Sequence, residues 1–233
     1  MKIAFALIIF YVFLPHLLAL SSSSPFWQGI DTGLSSCRPT TYESLPTAGQ
    51  PYHVQTWQDF EYLYKTLKSC GSIKSLKDLW WDLRPSPSFG TLEIRVCDGT
   101  ATLSETLAIV AFIHTLAHWF NDNGSWLESV SYPTHWLSRE NKWRAIRYGL
   151  DAELVMNTDG KIKLMRNDLE EWIEKLQPYI NQLNYQPYFS TLQTILTRGT
   201  SSERQRKVFA QTNCFKEVTK HNINEFLQQK PLY

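Results

Sequence analysis

The stretch Trp80–Asp98, WWDLRPSPSFGTLEIRVCD, restricts the fold more than any other part of the chain. Pro85 and Pro87 lock its approach into a stiff, non-helical run. Thr91–Val96 then alternates with period two. A strand with that pattern puts Leu92, Ile94 and Val96 on one face and Thr91, Glu93 and Arg95 on the other. Glu93 offers hard oxygens to Mg²⁺, and Arg95 offers a fork to phosphate or carboxylate. On the strand alone, the same two residues are usually a solvated cross-strand pair on an antiparallel strand. Asp82 and Arg84 add charge beside bulky aromatics, where charges need partners and a bound anion is one.

The chain has 233 residues, enough for one domain or two small ones with a sizeable core. A net charge of +1 gives no electrostatic case for nucleic acid or an anionic membrane as the main partner. Cys37, Cys70, Cys97 and Cys214 form neither a C-x-x-C pair nor a zinc pattern, so reduced thiols in a cytosolic protein are the simple reading. The chain carries no P-loop, no dinucleotide-binding fingerprint and no nucleophile elbow.

A loop rich in Ser, Gly and Pro is expected from Leu20 to about Pro51. Thr56-x-x-Asp59 then caps a helix whose stripe is Trp57, Phe60, Leu63, Tyr64 and Leu67. Thr102-x-x-Glu105 caps a central helix to about Phe120, broken at Asn123-Gly124. Another helix is expected from Ser138 to Glu153, followed by a hairpin over Leu154–Leu164. Asn167 is expected to cap a helix stopped by Pro178, and Ser201 or Ser202 to cap a later one. The last twenty residues are amphipathic. No internal repeat or linker divides the chain.

His114 and His118 stand four apart, a spacing that can clamp zinc, but no third ligand is evident and core histidines bonded to neighbours are favoured. His16 reads as packed. Asn141, Arg144 and Tyr148 share a helix face, which is ordinarily solvated or salt-bridged. In Ser24–Gly33 the glycines let backbone approach a ligand, or simply form a rigid loop. Arg198-Gly199-Thr200-Ser201 is either a helix-start anion site or a helix joint.

Four segments resemble glutamate–cysteine ligase family 2, the ATP-dependent carboxylate–amine ligases. They are PHLLALSSSSPFWQGIDTGLSSCR (Pro15–Arg38), WWDLRPSPSFGTLEIRVCD, RENKWRAIRYGLDA (Arg139–Ala152) and, more weakly, RGTSSERQR (Arg198–Arg206). The resemblance covers roughly the last two-thirds of a family member. It lacks the family's upstream Glu-rich strand and His-x-His strand. It implies an α+β, glutamine synthetase-like fold, with an antiparallel curved sheet, packed helices, the N-terminal strands missing, and residues 1–233 as one truncated catalytic domain. It also implies that glutamate's γ-carboxylate is joined, through an acyl phosphate made from ATP, to an amine such as that of cysteine. On this basis Glu93 is expected to bind Mg²⁺, and Arg84 and Arg95 to be catalytic. Asp31, Arg38 and Asp82 would bind substrate, and Asn141 and Arg144 nucleotide. ATP and Mg²⁺ are the expected cofactors. A homo-oligomer or a separate N-terminal polypeptide is the expected macromolecular partner. Activity of this chain alone is expected to be low, with a non-catalytic amino-acid-binding piece as the alternative.

Met1–Ser24 imitates a secretory signal, which by pattern alone suggests a secreted binding protein. The resemblance begins at Pro15 and runs through the apparent cleavage site, so a retained core helix in a cytoplasmic protein is expected instead.

Overall fold

The computed structural model describes residues 3–52, 56–124 and 135–233. Helix α1, Ile3–Ser21, lies in the core. From Tyr11 on, its apolar side chains other than the partly buried Val12 are almost completely buried, among them Phe13, Leu14, Leu17, Leu18 and Leu20. Phe13 meets Phe112, Phe120 and Trp172 edge-on. Burying each such side chain contributes about 1.5–3 kcal/mol, which together outweighs the roughly 3 kcal/mol an internal proline such as Pro15 costs. From Tyr11 to Ser21 the signal-like composition is thus that of a helix packed into the core.

Short elements follow. Strands β1 (Phe26–Trp27) and β2 (Ile30–Asp31) form a small hairpin. Its turn residues Gln28 and Gly29 both have positive φ, as a two-residue hairpin loop requires. Helix α2, Arg38–Tyr42, starts with Pro39 in its first turn. Strand β3 (Ala48–Gly49) pairs in parallel with β4 (Trp80–Trp81). Between them, α3 (Trp57–Ser69) carries the expected capping box of Thr56 and Asp59. Its Phe60 joins Ile73, Leu79 and Trp81 in a small second core.

Strands β5 (Leu83–Ser86) and β6 (Thr91–Ile94) form an antiparallel ladder that sets Arg84 directly opposite Glu93. The rest is mainly helical: α4 (Leu103–Asp122), α5 (His135–Tyr148), α6 (Met165–Gln182), α7 (Gln186–Arg198), α8 (Ser201–Thr212) and α9 (Phe215–Gln228). A hairpin of β7 (Glu153–Val155) and β8 (Ile162–Leu164) precedes α6. Among the described residues α4 is the helix long and apolar enough to cross a membrane, but half of that stretch is buried, as in a core helix.

The architecture is α+β. The expected curved sheet is not seen among the described residues, whose named strands pair in four separate two-stranded ladders. Several helix limits also differ from expectation: helix α6 begins at Met165, so Asn167 lies inside it and does not cap it. Helix α5 ends at Tyr148, because Gly149 takes a positive φ. Helix α6 runs through Pro178, because Leu176 and Ile180 on either side are buried. Helix α8 is capped by Thr200 with Glu203, not by Ser201 or Ser202.

Among the described residues, two buried ionic groups tie the helices together. Arg204 Nε bonds Glu225 at 2.5 Å, and its Nη2 bonds Glu105 at 2.8 Å, all three almost fully buried. They join α8, α9 and the start of α4. His16 on α1 meets Asp168 on α6 at 2.7 Å, and Lys163 bonds the other carboxylate oxygen. Burial pushes the Asp168 carboxyl up, but His16 and Lys163 outweigh it and bring the pKa down to about 2. A depressed folded-state pKa stabilises the protein above the unfolded value and loses that contribution as pH falls through the folded one. The full contribution is about 2 kcal/mol. Urea midpoints are therefore expected to drop between about pH 4 and pH 2 more steeply in the native protein than in Asp168→Asn. Equal slopes would show that this pair does not set acid stability.

Candidate functional site

The four unusual segments of the sequence meet at one polar junction. Asp98, just past β6, accepts hydrogen bonds from Ser23 N (2.9 Å) and Ser24 Oγ (2.8 Å) at the exit of α1. Ser202 N donates to Ser22 O, and Gln205 Nε2 donates to Ser23 O. Ser35 N and Ser36 N donate to the carbonyls of Arg147 and Ile146 at the end of α5. At Gly149 a Cβ would lie 2.9 Å from Ser35 Oγ, so the junction has room only for glycine.

Beside this junction lies a cavity of about 420 Å³, within the usual range for small-molecule sites. Ser24 and Cys37 line it, and α2 supplies Arg38, Thr41 and Tyr42 at helical spacing. Phe26, Trp27 and Trp80 form aromatic walls, and Arg95 enters from beyond β6. Trp27 and Trp80 are about half exposed, so they stand at the rim. Among the described residues the lining thus holds two guanidiniums and no carboxylate.

Arg38 is held from behind by carbonyls. Its Nη2 donates to Arg95 O (3.2 Å), its Nη1 to Val96 O (3.4 Å), and its guanidinium sits 5.0 Å from the Tyr42 ring centre. Among the described residues Arg38 forms no ion pair. Arg95 Nη1 donates to Glu93 Oε1 (2.8 Å), and among the described residues its Nη2 and Nε make no hydrogen bond. Arg84 donates through Nη2 and Nε to Glu93 Oε2, while its Nη1 donates to the carbonyls of Leu76, Lys77 and Leu79. Burial pushes the Glu93 carboxyl up, but its two arginines outweigh that and hold it below the usual carboxylate range. Leu92 and Ile94 of β6 pack against the core and Val96 just beyond it is fully buried, while Thr91 is exposed and Arg95 borders the cavity.

Asp82 is fully buried behind the cavity wall. Its Oδ1 accepts from Tyr42 Oη (2.7 Å) and its Oδ2 from Lys142 Nζ (2.5 Å). Lys142 also pairs with Glu43. Burial, then the nearby Asp82 charge, pushes the Tyr42 hydroxyl well above its ordinary pKa, so it stays protonated. Burial likewise pushes the Cys37 thiol up.

The other expected residues lie elsewhere. Asp31 is exposed and bonded by Arg206 and Gly33 N, and the Arg206 hydrogen bond lowers its carboxyl pKa. Asn141 makes a reciprocal pair with the backbone of Val155. Arg144 bonds Glu140 and the carbonyl of Glu153. Neither lines the cavity. The chain alone does not single out Tyr42, Glu43, Lys142 or Asp98. For Lys142 a signal exists: Ala145 and Ile146, three and four residues on, are buried, so this lysine sits on an apolar helix face and needs a partner.

The residues present do not fit Mg²⁺. The ion asks for several hard oxygens. Glu93 brings one carboxylate whose two oxygens already accept from arginines. Among the described residues no three His, Cys, Asp or Glu side chains converge to hold a metal.

The family model described as glutamate-cysteine ligase family 2 (GCS2) matches residues 7–226. A protein of Frankia alni named "Putative glutamate--cysteine ligase 2-1" is 44% identical over 197 residues, covering 84% of this chain and 52% of the relative. A "Putative glutamate--cysteine ligase 2" of Bdellovibrio bacteriovorus is 42% identical over 209 residues, covering 90% and 55%. One of the same name from Thermobifida fusca is 41% identical over 222 residues, covering 94% and 55%. The chain spans about half the length of the curated relatives it matches, less than the two-thirds expected from the motifs.

Removing Asp82 leaves the Lys142 ammonium buried with half its compensation, so Asp82→Ala is expected to cost about 3 kcal/mol. Arg38→Ala, which removes only long bonds to carbonyls at a cavity wall, is expected to cost roughly 1 kcal/mol or less. Urea unfolding of both variants checks this. An equal loss in the two would make Arg38 a structural residue.

Proposed function

The chain belongs to glutamate–cysteine ligase family 2, and we propose that its arginine-lined cavity is the carboxylate-binding site of an ATP-dependent carboxylate–amine ligase. One observation carries this: among the described residues Arg38 is held by two carbonyls and by no acid, and it faces a cavity whose described lining contains no carboxylate. A guanidinium so placed calls for an anion, and planar two-point recognition of carboxylate is what Arg does best. The proposed ligand is glutamate. Its carboxylate would accept from Arg38 and from the uncommitted Nη2 and Nε of Arg95. Tyr42 Oη donates its proton to Asp82, which leaves an oxygen lone pair free to accept from an ammonium.

In the proposed reaction the γ-carboxylate of glutamate attacks the γ-phosphorus of ATP, and ADP leaves. An amine, such as that of cysteine, then attacks the acyl carbon and phosphate leaves. Positioning and charge neutralisation dominate such transfers, and Arg95 is the residue proposed to face the developing negative charge. Arg84 and Glu93 would act by orienting Arg95, and Asp82 by orienting Tyr42. Asp31, Asn141 and Arg144 are left to docking of the other substrates at the surface. ATP with Mg²⁺ belongs to this reading, but the carboxylates that would hold the metal are not supplied by the cavity. A cytoplasmic setting suits the four free cysteines.

The engagement of both Glu93 oxygens favours a second reading, that the chain binds an amino acid without turning it over. Titration of L-glutamate is expected to show saturable binding that weakens at least about tenfold, or 1.4 kcal/mol, in Arg38→Ala and in Arg95→Ala. A coupled assay for ADP release with glutamate, cysteine and Mg²⁺–ATP separates the readings. ADP release that needs both amino acids supports the ligase. Binding without ADP release supports the second reading. Binding that is absent, or unchanged in Arg38→Ala, overturns both.

A further inference from the structure

Helix α4 carries a pair of nitrogen donors that the ligase reading does not use. His114 is exposed and His118 half-buried, so neither is the core histidine that the sequence suggests. Their Nε2 atoms lie 3.3 Å apart, and the rings are nearly perpendicular at 89°. On the other side of its ring, His114 Nδ1 lies 3.0 Å from Tyr185 Oη, at the start of α7. With Nδ1–H donating to that oxygen, His114 Nε2 turns its lone pair toward His118.

The separation has a geometric meaning. Zinc binds imidazole nitrogen at about 2.0–2.1 Å, so two ligands at a tetrahedral angle stand roughly 3.3–3.4 Å apart. The two Nε2 atoms are therefore already spaced to share one ion, with little side-chain ordering left to do. The partner of His114 Nδ1 is the kind of outer hydrogen bond that fixes ligand histidines. No third His, Cys, Asp or Glu joins them among the described residues.

We propose that His114 and His118 form a two-nitrogen site for a divalent transition-metal ion such as Zn²⁺, Ni²⁺ or Cu²⁺, with water completing the coordination shell. Tyr185 is a positioning residue for it. Imidazole suits these ions and not Mg²⁺, which takes oxygen ligands, so the site is distinct from any metal of the ligase reaction. A bound ion clamps successive turns of α4 and, through Tyr185, the corner between α6 and α7. It also raises the melting temperature by binding only the folded chain.

Isothermal titration of the untagged full chain with ZnCl₂, NiCl₂, CuCl₂ and MgCl₂ in a non-coordinating buffer tests this. One-to-one binding of the first three is expected, tightest for copper, with no heat from magnesium. His114→Gln and His118→Gln are each expected to weaken binding more than about tenfold, and Tyr185→Phe by about tenfold. Circular dichroism without metal should be unchanged in His114→Gln, whose side chain is exposed. In the copper complex, electron paramagnetic resonance should show coupling to two imidazole nitrogens, and to one in either variant. Affinity indifferent to both histidine substitutions, or no saturable binding at all, overturns the proposal. So does coupling to more than two nitrogens, which would place the ion elsewhere.

Discussion

One buried carboxylate sets the positions of both cavity arginines. Asp98 accepts from Ser23 N and Ser24 Oγ, while its own N–H donates to Ser21 Oγ. Charge-assisted bonds of this kind are about twice as strong as neutral ones. They fix the exit of α1 to the end of the β6 segment. Ser24 Oγ in turn accepts from Arg38 N, and Arg38 reaches the carbonyls of Arg95 and Val96, three and two residues before Asp98. Arg38 and Arg95 are thus referenced to the same few atoms. A shift of α1 would move one arginine relative to the other, which is why a helix with no ligand contact of its own matters to the site.

Much of the helical framework was legible. Thr56 and Thr102 begin helices where their side chains can accept from the third residue onward, and both do. Where local rules failed, packing won. Pro178 ought to stop a helix, yet Leu176 and Ile180 stay buried only if the helix continues. Glu105 reads as half of a cap, and one of its oxygens does accept from Thr102, but the other is drawn to Arg204, ninety-nine residues away. No local pattern announces a partner at that distance. The strands were the least legible part. Runs of two to four residues carry too little pattern to state which others they pair with.

The site shows the same division. Period-two alternation located Glu93 and Arg95 and separated them from the buried Val96. It could not show that Arg84 stands directly across the ladder from Glu93, since register belongs to two strands at once. The pair reading of that strand holds for Glu93, and the proposed anion site draws on Arg95. Glu93 is taken up by its arginines, and Arg95 still has donors to offer. Lys142 and Tyr42 escaped because their common partner, Asp82, lies sixty residues from one and forty from the other.

The row Arg84–Glu93–Arg95 is graded from interior to cavity, and the gradient assigns the work. Arg84 is almost completely buried, and each of its guanidinium nitrogens has a partner. Leaving any of them unpaired there would cost the desolvation of a charged group, so it is an anchor. Glu93 is intermediate and spends one oxygen on each neighbour. Arg95, at the open end, spends one nitrogen. An arginine on a free surface would lose rotamer entropy on gripping an anion. Here Glu93 has already fixed the guanidinium, and the anchor behind Glu93 has fixed the carboxylate. The acid next to Arg95 therefore leaves it able to bind an anion and lowers the entropic cost of doing so.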